Sequence, residues 1–131
     1  NMRNVAALRG SVSEYEILDK YNVLLRKDGR HTIISMKLFN ELYLIVNDYD
    51  CALKDDCIEY VVHEWDKPIE HYPEWYQFAV KCYEIFKIGD SWHFYTENGE
   101  IAMSPRAIIL RNSKGELRYL ELPTFYDIYR I

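Results

Sequence analysis

The sequence predicts an α+β domain in which an antiparallel sheet of about five strands packs against two or three α-helices. Two observations carry this prediction. The stretch from 83 to 122 contains four short apolar or aromatic runs separated by turns that carry glycine, which is typical of an antiparallel meander. The segments before it place apolar residues at helical spacing. A length of 131 residues fits a single domain over 1–131 with room for one core.

A first helix is predicted over 13–22. Ser13 is followed three residues later by Glu16, which is the pattern of a capping box. Around this capping box, apolar or aromatic residues recur every three positions: Val12, Tyr15, Leu18 and Tyr21.

A hairpin is predicted next, because Lys27-Asp28-Gly29 separates the apolar runs 23–25 and 32–34 and offers glycine for a left-handed turn position. The alternative is that the first helix continues to Arg26. Ser35 is the predicted N-cap of a second helix over 36–46. Its apolar stripe consists of Leu38, Phe39, Leu42, Ile45 and Val46.

A third helix is predicted to begin at Pro73 and to end before Gly89, since proline suits a first helical turn and glycine follows many helix ends. Its buried face would carry Trp75, Ala79, Cys82 and Phe86.

The meander itself is predicted from its turns. Asn98-Gly99 is a strong hairpin signal and predicts strands over 91–96 and 100–104. The continuous apolar run 107–110 suits a central strand covered on both faces. Ser113-Lys114-Gly115 leads into a last strand over 116–122, and a short closing helix follows Thr124.

The segment from 48 to 74 is strongly acidic in a chain whose net charge is −5. It holds nine carboxylates against Lys54 and Lys67, and aromatic residues alternate with those charges. Within it, 57–62 is predicted to be a strand.

Metal sites are not predicted in this segment. Asp48, Asp50 and Glu59 have the spacing of positions 1, 3 and 12 of a calcium loop, but Leu53 replaces the glycine that such a loop needs for its sharp turn. The three cysteines and the histidines lack the close-paired spacing of zinc sites. No cofactor is predicted either, because no phosphate-binding glycine loop is present.

Two other classes of function receive less support from the sequence. A small hydrolase or transferase would need a His/carboxylate pair such as His93 with Glu97 or His63 with Glu64, and no nucleophile motif accompanies either pair. Nucleic-acid binding is disfavoured because affinity for phosphates depends on exposed Lys and Arg, and this chain is acidic. The remaining alternative is a solvated accessory domain without activity of its own.

The favoured prediction is a small acidic protein that binds and inhibits a basic protein, such as a toxin or nuclease, by stoichiometric binding. Carboxylates steer a cationic partner, and aromatic residues supply most of the binding energy. The chain resembles immunity proteins, antitoxins and phage inhibitors in size and regional charge alone. The steering residues would be Asp48, Asp50, Asp55, Asp56 and Glu59, and the anchors Tyr60, Trp65, Tyr72 and Trp75.

The expected location is the cytoplasm. Three cysteines without paired spacing indicate free thiols in a reducing compartment. No signal peptide is visible, and no apolar run approaches the 18 residues that a membrane span needs, so no membrane contact is predicted.

Overall fold

A computed structural model of the chain describes residues 4–64, 67–82, 84–89, 91–96, 99–103 and 107–131, with the backbone alone at 96 and 100–103. The predicted α+β class is confirmed, since antiparallel sheets and short helices make up the described chain. Its strands are β1 Val5–Leu8, β2 Ser13–Ile17, β3 Asn22–Lys27, β4 Arg30–Ser35, β5 Tyr43–Ile45, β6 Asp50–Leu53, β7 Cys57–Val62, β8 Ile85–Ile88, β9 Ser91–Thr96, β10 Gly99–Met103, β11 Ala107–Arg111, β12 Leu117–Glu121 and β13 Tyr129–Arg130. Its α-helices are α1 Met36–Leu42, α2 Glu74–Lys81 and α3 Leu122–Ile128.

The chain forms two compact units. Unit 1 contains Asn4 and Glu59–Asp127, and unit 2 contains Val5–Ile58 and Ile128–Ile131. The single domain expected from chain length stays a prediction. None of the helices in the described chain is long and apolar enough to cross a membrane.

Unit 2 is built on a five-stranded antiparallel sheet with the order β4-β3-β2-β6-β5. Helix α1 covers one face of this sheet through Phe39, which is 3% exposed and packs with Val23, Leu25 and Cys51. The Phe39 ring lies 5.6 Å from the ring of Tyr43, and the two rings are stacked. In the same unit, β1 pairs with β13.

The predicted first helix over 13–22 is wrong, because Ser13–Ile17 forms strand β2 between β3 and β6. The carboxylates of Glu14 and Glu16 both approach Arg26 on β3, at 3.5 and 3.4 Å, so they lie on one face of the sheet. Ladder hydrogen bonds with two neighbouring strands therefore outweigh the helical spacing of the apolar residues. The Asp19 carboxylate then accepts hydrogen bonds from the main-chain N–H groups of residues 21 and 22, which makes a turn where the helix was predicted to continue.

The hairpin prediction is confirmed, and its alternative of a helix up to Arg26 is wrong. Strands β3 and β4 pair through Lys27 and Arg30, and the two turn residues Asp28 and Gly29 have φ values of 52° and 76°. Positive φ at both central positions matches the right-handed twist of the flanking strands.

Ser35 caps helix α1 as predicted, since its hydroxyl accepts a hydrogen bond of 3.0 Å from the main-chain N–H of Leu38. The helix is shorter than the predicted 36–46, because Tyr43–Ile45 pairs with β6 as strand β5. The predicted apolar stripe is wrong apart from Phe39, since Leu38, Leu42 and Ile45 are exposed.

Replacing the cap tests this local structure. We expect Ser35→Ala to lower the free energy of unfolding by about 1 kcal/mol, because one N–H of the first turn loses its acceptor. Ser35→Asp keeps an acceptor and should retain most of the stability in urea denaturation. Equal losses in both variants would contradict the cap.

In unit 1, strand β11 lies between β12 and β7, and its residues Ala107–Leu110 are almost completely buried. This confirms the prediction of a central strand. The prediction of one continuous meander is wrong, because β8, β9 and β10 form a separate antiparallel sheet. Asn98, which carried one of the turn predictions, lies outside the described residues.

Helix α2 ends at Lys81 rather than near Gly89, and the run from Ile85 to Ile88 is strand β8. The buried face of α2 consists of Tyr76 and Ala79. Cys82, which was predicted to be buried, is exposed. Because α2 is shorter than predicted, its buried face differs from the predicted one. Strand β8 contributes Ile85 to the same core, where the prediction placed another turn of helix.

Candidate functional site

The residues of the predicted binding segment fall into both compact units. Asp48, Asp50, Asp55 and Asp56 belong to unit 2, whereas Glu59, Tyr60, Tyr72 and Trp75 belong to unit 1. Trp65 lies outside the described residues.

Asp50 does not act as a steering charge, because it is only 5% exposed. Its carboxylate accepts hydrogen bonds from Asn47 Nδ2 at 2.8 Å and from Arg130 Nε at 3.1 Å. Asn47 Nδ2 also donates to the main-chain oxygen of Ile131 at 2.9 Å. Asp50 thus attaches strand β13 to the turn before β6, and the prediction of a steering role is corrected to a structural one.

Two of the predicted anchors are core residues. Tyr60 is 9% exposed, and its ring lies 5.1 Å from the ring of Phe125 on α3. Tyr72 is 4% exposed, and its hydroxyl accepts from the main-chain N–H of Glu64 at 3.1 Å and donates to the carbonyl of Glu64 at 2.9 Å. Side chains fixed in this way offer little surface to a partner, so the anchor prediction is wrong for both.

Trp75 and Glu59 are joined through Arg111 on β11. The guanidinium of Arg111 lies 5.0 Å from the centre of the Trp75 ring, and Arg111 Nη2 lies 3.0 Å from Glu59 Oε1. Trp75 also packs against the core of unit 1. The predicted steering charge of Glu59 is therefore compensated by a neighbouring cation, and one face of Trp75 is covered by that cation.

The histidine of the proposed His63–Glu64 pair is buried. His63 is 2% exposed, and its Nδ1 shares a hydrogen bond of 3.1 Å with the hydroxyl of Tyr76. Burial lowers the pKa of His63 to about 4, with a further lowering from the positive charge of Lys87. Burial also raises the pKa of the Tyr76 hydroxyl. Glu64 lies on the surface, whereas the imidazole of His63 packs in the core and does not face a substrate.

Exposed carboxylates of the acidic segment occur in both units, and those of unit 2 lie on both sides of strand β6. Tyr49 precedes the strand and is 75% exposed, next to the exposed carboxylate of Asp48. The 3-10 turn Lys54–Asp56 follows the strand and carries Asp55 and Asp56. Strand β6 has four residues and spans about 13 Å. The residues before the strand and the residues after it are therefore close enough to contact the same partner protein. We call Asp48, Tyr49, Ile45, Leu53, Asp55 and Asp56 the acidic surface.

The register of the sheet brings the apolar members of the acidic surface together. Ile45 on β5 pairs with Cys51, and the main-chain N–H of Tyr15 bonds to the carbonyl of Tyr49 in the ladder that continues β6. Leu53 lies two residues from Cys51 and pairs with Tyr43, so Ile45 and Leu53 lie on one face of the sheet. Tyr49 lies in the turn just before β6. Ile45 and Leu53 are 47% and 43% exposed.

Sequence reasoning missed the exposure of Tyr49, although a local signal was present. Asn47 Oδ1 accepts hydrogen bonds from the main-chain N–H groups of Tyr49 and Asp50, at 2.8 and 2.9 Å. Asparagine favours such turns, and turns lie on the surface. An aromatic residue two positions after Asn47 was thus the better candidate for an exposed anchor.

The sheets and helices define an α+β protein whose sheets are antiparallel throughout the described chain. No known protein family, no curated protein and no solved structure matches the chain. Among the residues that the structure describes, no three His, Cys, Asp or Glu side chains are grouped to hold a metal ion.

Proposed function

We propose that this protein binds a basic protein partner stoichiometrically through the acidic surface of unit 2, in the manner of an immunity protein, an antitoxin or a phage inhibitor. Tyr49 supports the proposal most directly. It is the most exposed of the large apolar side chains in the described chain, and it follows the exposed carboxylate of Asp48. Tyrosine is enriched at protein interfaces, and exposed apolar groups rimmed by polar residues mark interaction sites.

The two kinds of residue contribute differently to binding. Asp48, Asp55 and Asp56 attract a cationic partner over a distance and increase the association rate, and salt weakens this effect. Tyr49 carries the contact itself, because a tyrosine buries a large area while losing little side-chain entropy. Ile45 and Leu53 extend the apolar contact along the same face of the sheet.

A cytoplasmic location fits this proposal. Cys51, Cys57 and Cys82 are all free thiols. Burial raises the pKa of both Cys51 and Cys57 to about 11, so neither is a reactive thiolate at neutral pH. Unpaired cysteines are characteristic of proteins from reducing compartments.

Affinity capture from a lysate of the source cells tests the proposal. We expect the native protein to retain a basic protein at low salt and to release it at high salt. Tyr49→Ala should weaken binding of that protein about tenfold or more, as expected for an anchor residue. Asp55→Lys should slow association and reduce the salt dependence of binding, both measured by surface plasmon resonance with the purified partner.

Each variant has a matched control in unit 1. Phe78→Ala removes an aromatic side chain that is 63% exposed on α2, and Glu70→Lys reverses an exposed acid in another 3-10 turn. Both should bind like the native protein. The proposal is wrong if Phe78→Ala weakens binding as much as Tyr49→Ala, or if no retained protein distinguishes Asp55→Lys from Glu70→Lys.

A further inference from the structure

Unit 2 contains a second candidate site, a cleft of about 600 Å³ at the turn end of the β3–β4 hairpin. Leu25 and Ile34 form an apolar floor, and Leu25 is 7% exposed. Tyr43 forms a side wall and is held in place by stacking on Phe39. The volume lies in the usual range for sites that bind small molecules, and most of the lining residues are polar or charged.

Three hydroxyl groups line this cleft, those of Ser13, Thr32 and Tyr43. Within the described chain, none of these hydroxyls takes part in a side-chain hydrogen bond. Ser13 is only 8% exposed, so its hydroxyl is held in a largely buried position on β2. Hydroxyls both donate and accept, and so these three can adapt to a ligand oxygen.

The charges of the cleft come from the hairpin turn. Lys27 and Arg30 contribute two positive charges, and Asp28 contributes one negative charge. Lys27 Nζ donates a hydrogen bond of 2.8 Å to the carbonyl of Gly10, which fixes the ammonium without neutralising it. Neither cation forms an ion pair within the described chain. By contrast, Arg26 on the same hairpin is paired with two carboxylates.

We propose that this cleft binds a small organic monoanion with an apolar body. The ligand's carboxylate lies near Lys27 and Arg30 and accepts hydrogen bonds from the lining hydroxyls, while its apolar part covers Leu25 and Ile34. Hydrogen bonds to a charged group contribute more than neutral ones, so the cations determine the affinity. Asp28 leaves the turn with one net positive charge, which a singly charged ligand neutralises.

Titration of the ¹⁵N-labelled protein with octanoate, followed by NMR, tests the site. We expect chemical-shift changes at Leu25, Thr32 and Ile34, which lie on the two strands that form the floor. Octanol has the same chain length without the charge, and it should bind at least about tenfold more weakly. Equal affinity for octanoate and octanol overturns the proposal, as do shift changes located at exposed apolar residues elsewhere, such as Phe78.

Three substitutions separate charge recognition from damage to the fold. Arg30→Gln should weaken octanoate binding several-fold, and Asp28→Asn should strengthen it by removing the opposing charge. Asparagine tolerates the φ of 52° at position 28, so the turn is preserved. Lys54→Gln, outside the cleft, should leave binding unchanged. A cleft that does not recognise charge would give the same affinity in Arg30→Gln and Asp28→Asn, and that result also overturns the proposal.

Discussion

Phe39→Ala is expected to lower the free energy of unfolding by about 3–5 kcal/mol, the usual cost of removing a buried phenylalanine ring. Phe39 is the only side chain of α1 that is buried, and it packs on Val23 and Leu25 of β3 and on Cys51 of β6 in the unit 2 sheet. Its ring also contacts the rings of Tyr15 and Tyr43. Without it, α1 keeps its N-cap but loses its main packing contact with the sheet.

Urea denaturation followed by tryptophan fluorescence and far-UV circular dichroism measures this effect. Phe78→Ala is the matched control, because Phe78 also lies on a helix but is 63% exposed. Its effect should stay within about 0.5 kcal/mol, as for most surface substitutions. If the two variants have the same urea midpoint, the packing of Phe39 on the sheet does not stabilise the attachment of α1.

Acid should destabilise the protein through His63. The pKa of His63 is lowered from 6.5 to about 4 by burial, so in the folded state the imidazole stays neutral down to about pH 4. The unfolded chain takes up a proton near pH 6.5, and therefore binds more protons than the folded state between these two values. Stability must fall as the pH drops from 6.5 to 4, by roughly 3 kcal/mol in total from this residue.

The packing around His63 explains why its charged form is excluded. Its Nδ1 is engaged with the Tyr76 hydroxyl, and its Nε2 has no hydrogen-bond partner among the described residues. The ring of Trp92 lies 4.4 Å away, edge to face. A proton on both nitrogens would bury a charge with one N–H unsatisfied, which is costly in a medium of low polarity.

Measuring the unfolding free energy at a series of pH values tests this prediction. In His63→Gln, which has no titrating group but can still hydrogen-bond to Tyr76, the fall between pH 6.5 and 4 should shrink by roughly 3 kcal/mol. His31→Gln removes an exposed imidazole and serves as the control. The role assigned to His63 would be refuted if both variants kept the slope of the native protein.

The elements that sequence reasoning predicted correctly are those determined by local chemistry. The Asp28-Gly29 turn and the Ser35 cap depend on positive φ and on a side-chain acceptor, and both are properties of the residues themselves. The run 107–110 is apolar along its whole length, so it is buried whichever strands it pairs with. Strand β2 and the end of α1 could not be predicted in this way, because partners from distant strands decide whether those residues form helix or strand.

The predicted site depended on burial, which the sequence does not show. Tyr60 and Tyr72 have the residue type of an interface anchor but lie in a core, whereas Tyr49 is exposed because Asn47 forms the turn before it. Asp50 has the residue type of a steering charge but is matched by Arg130, a residue 80 positions away. Charge and aromatic content drew attention to this segment, but long-range pairing decides which of its members reach the surface.

The hydrogen bond that Asn47 donates to Ile131 and the one that Asp50 accepts from Arg130 also constrain the order in which the chain folds. Unit 2 takes Val5–Ile58 from early in the sequence and Ile128–Ile131 from late in it, and nearly all of unit 1 is encoded between them. On a ribosome, which releases the chain from its N-terminal side, strand β13 emerges only after Glu59–Asp127 has been made. The ion pair between Asp50 and Arg130 can therefore form only after the whole intervening stretch has been synthesised. Unit 2 is thus the last of the two units to complete its structure.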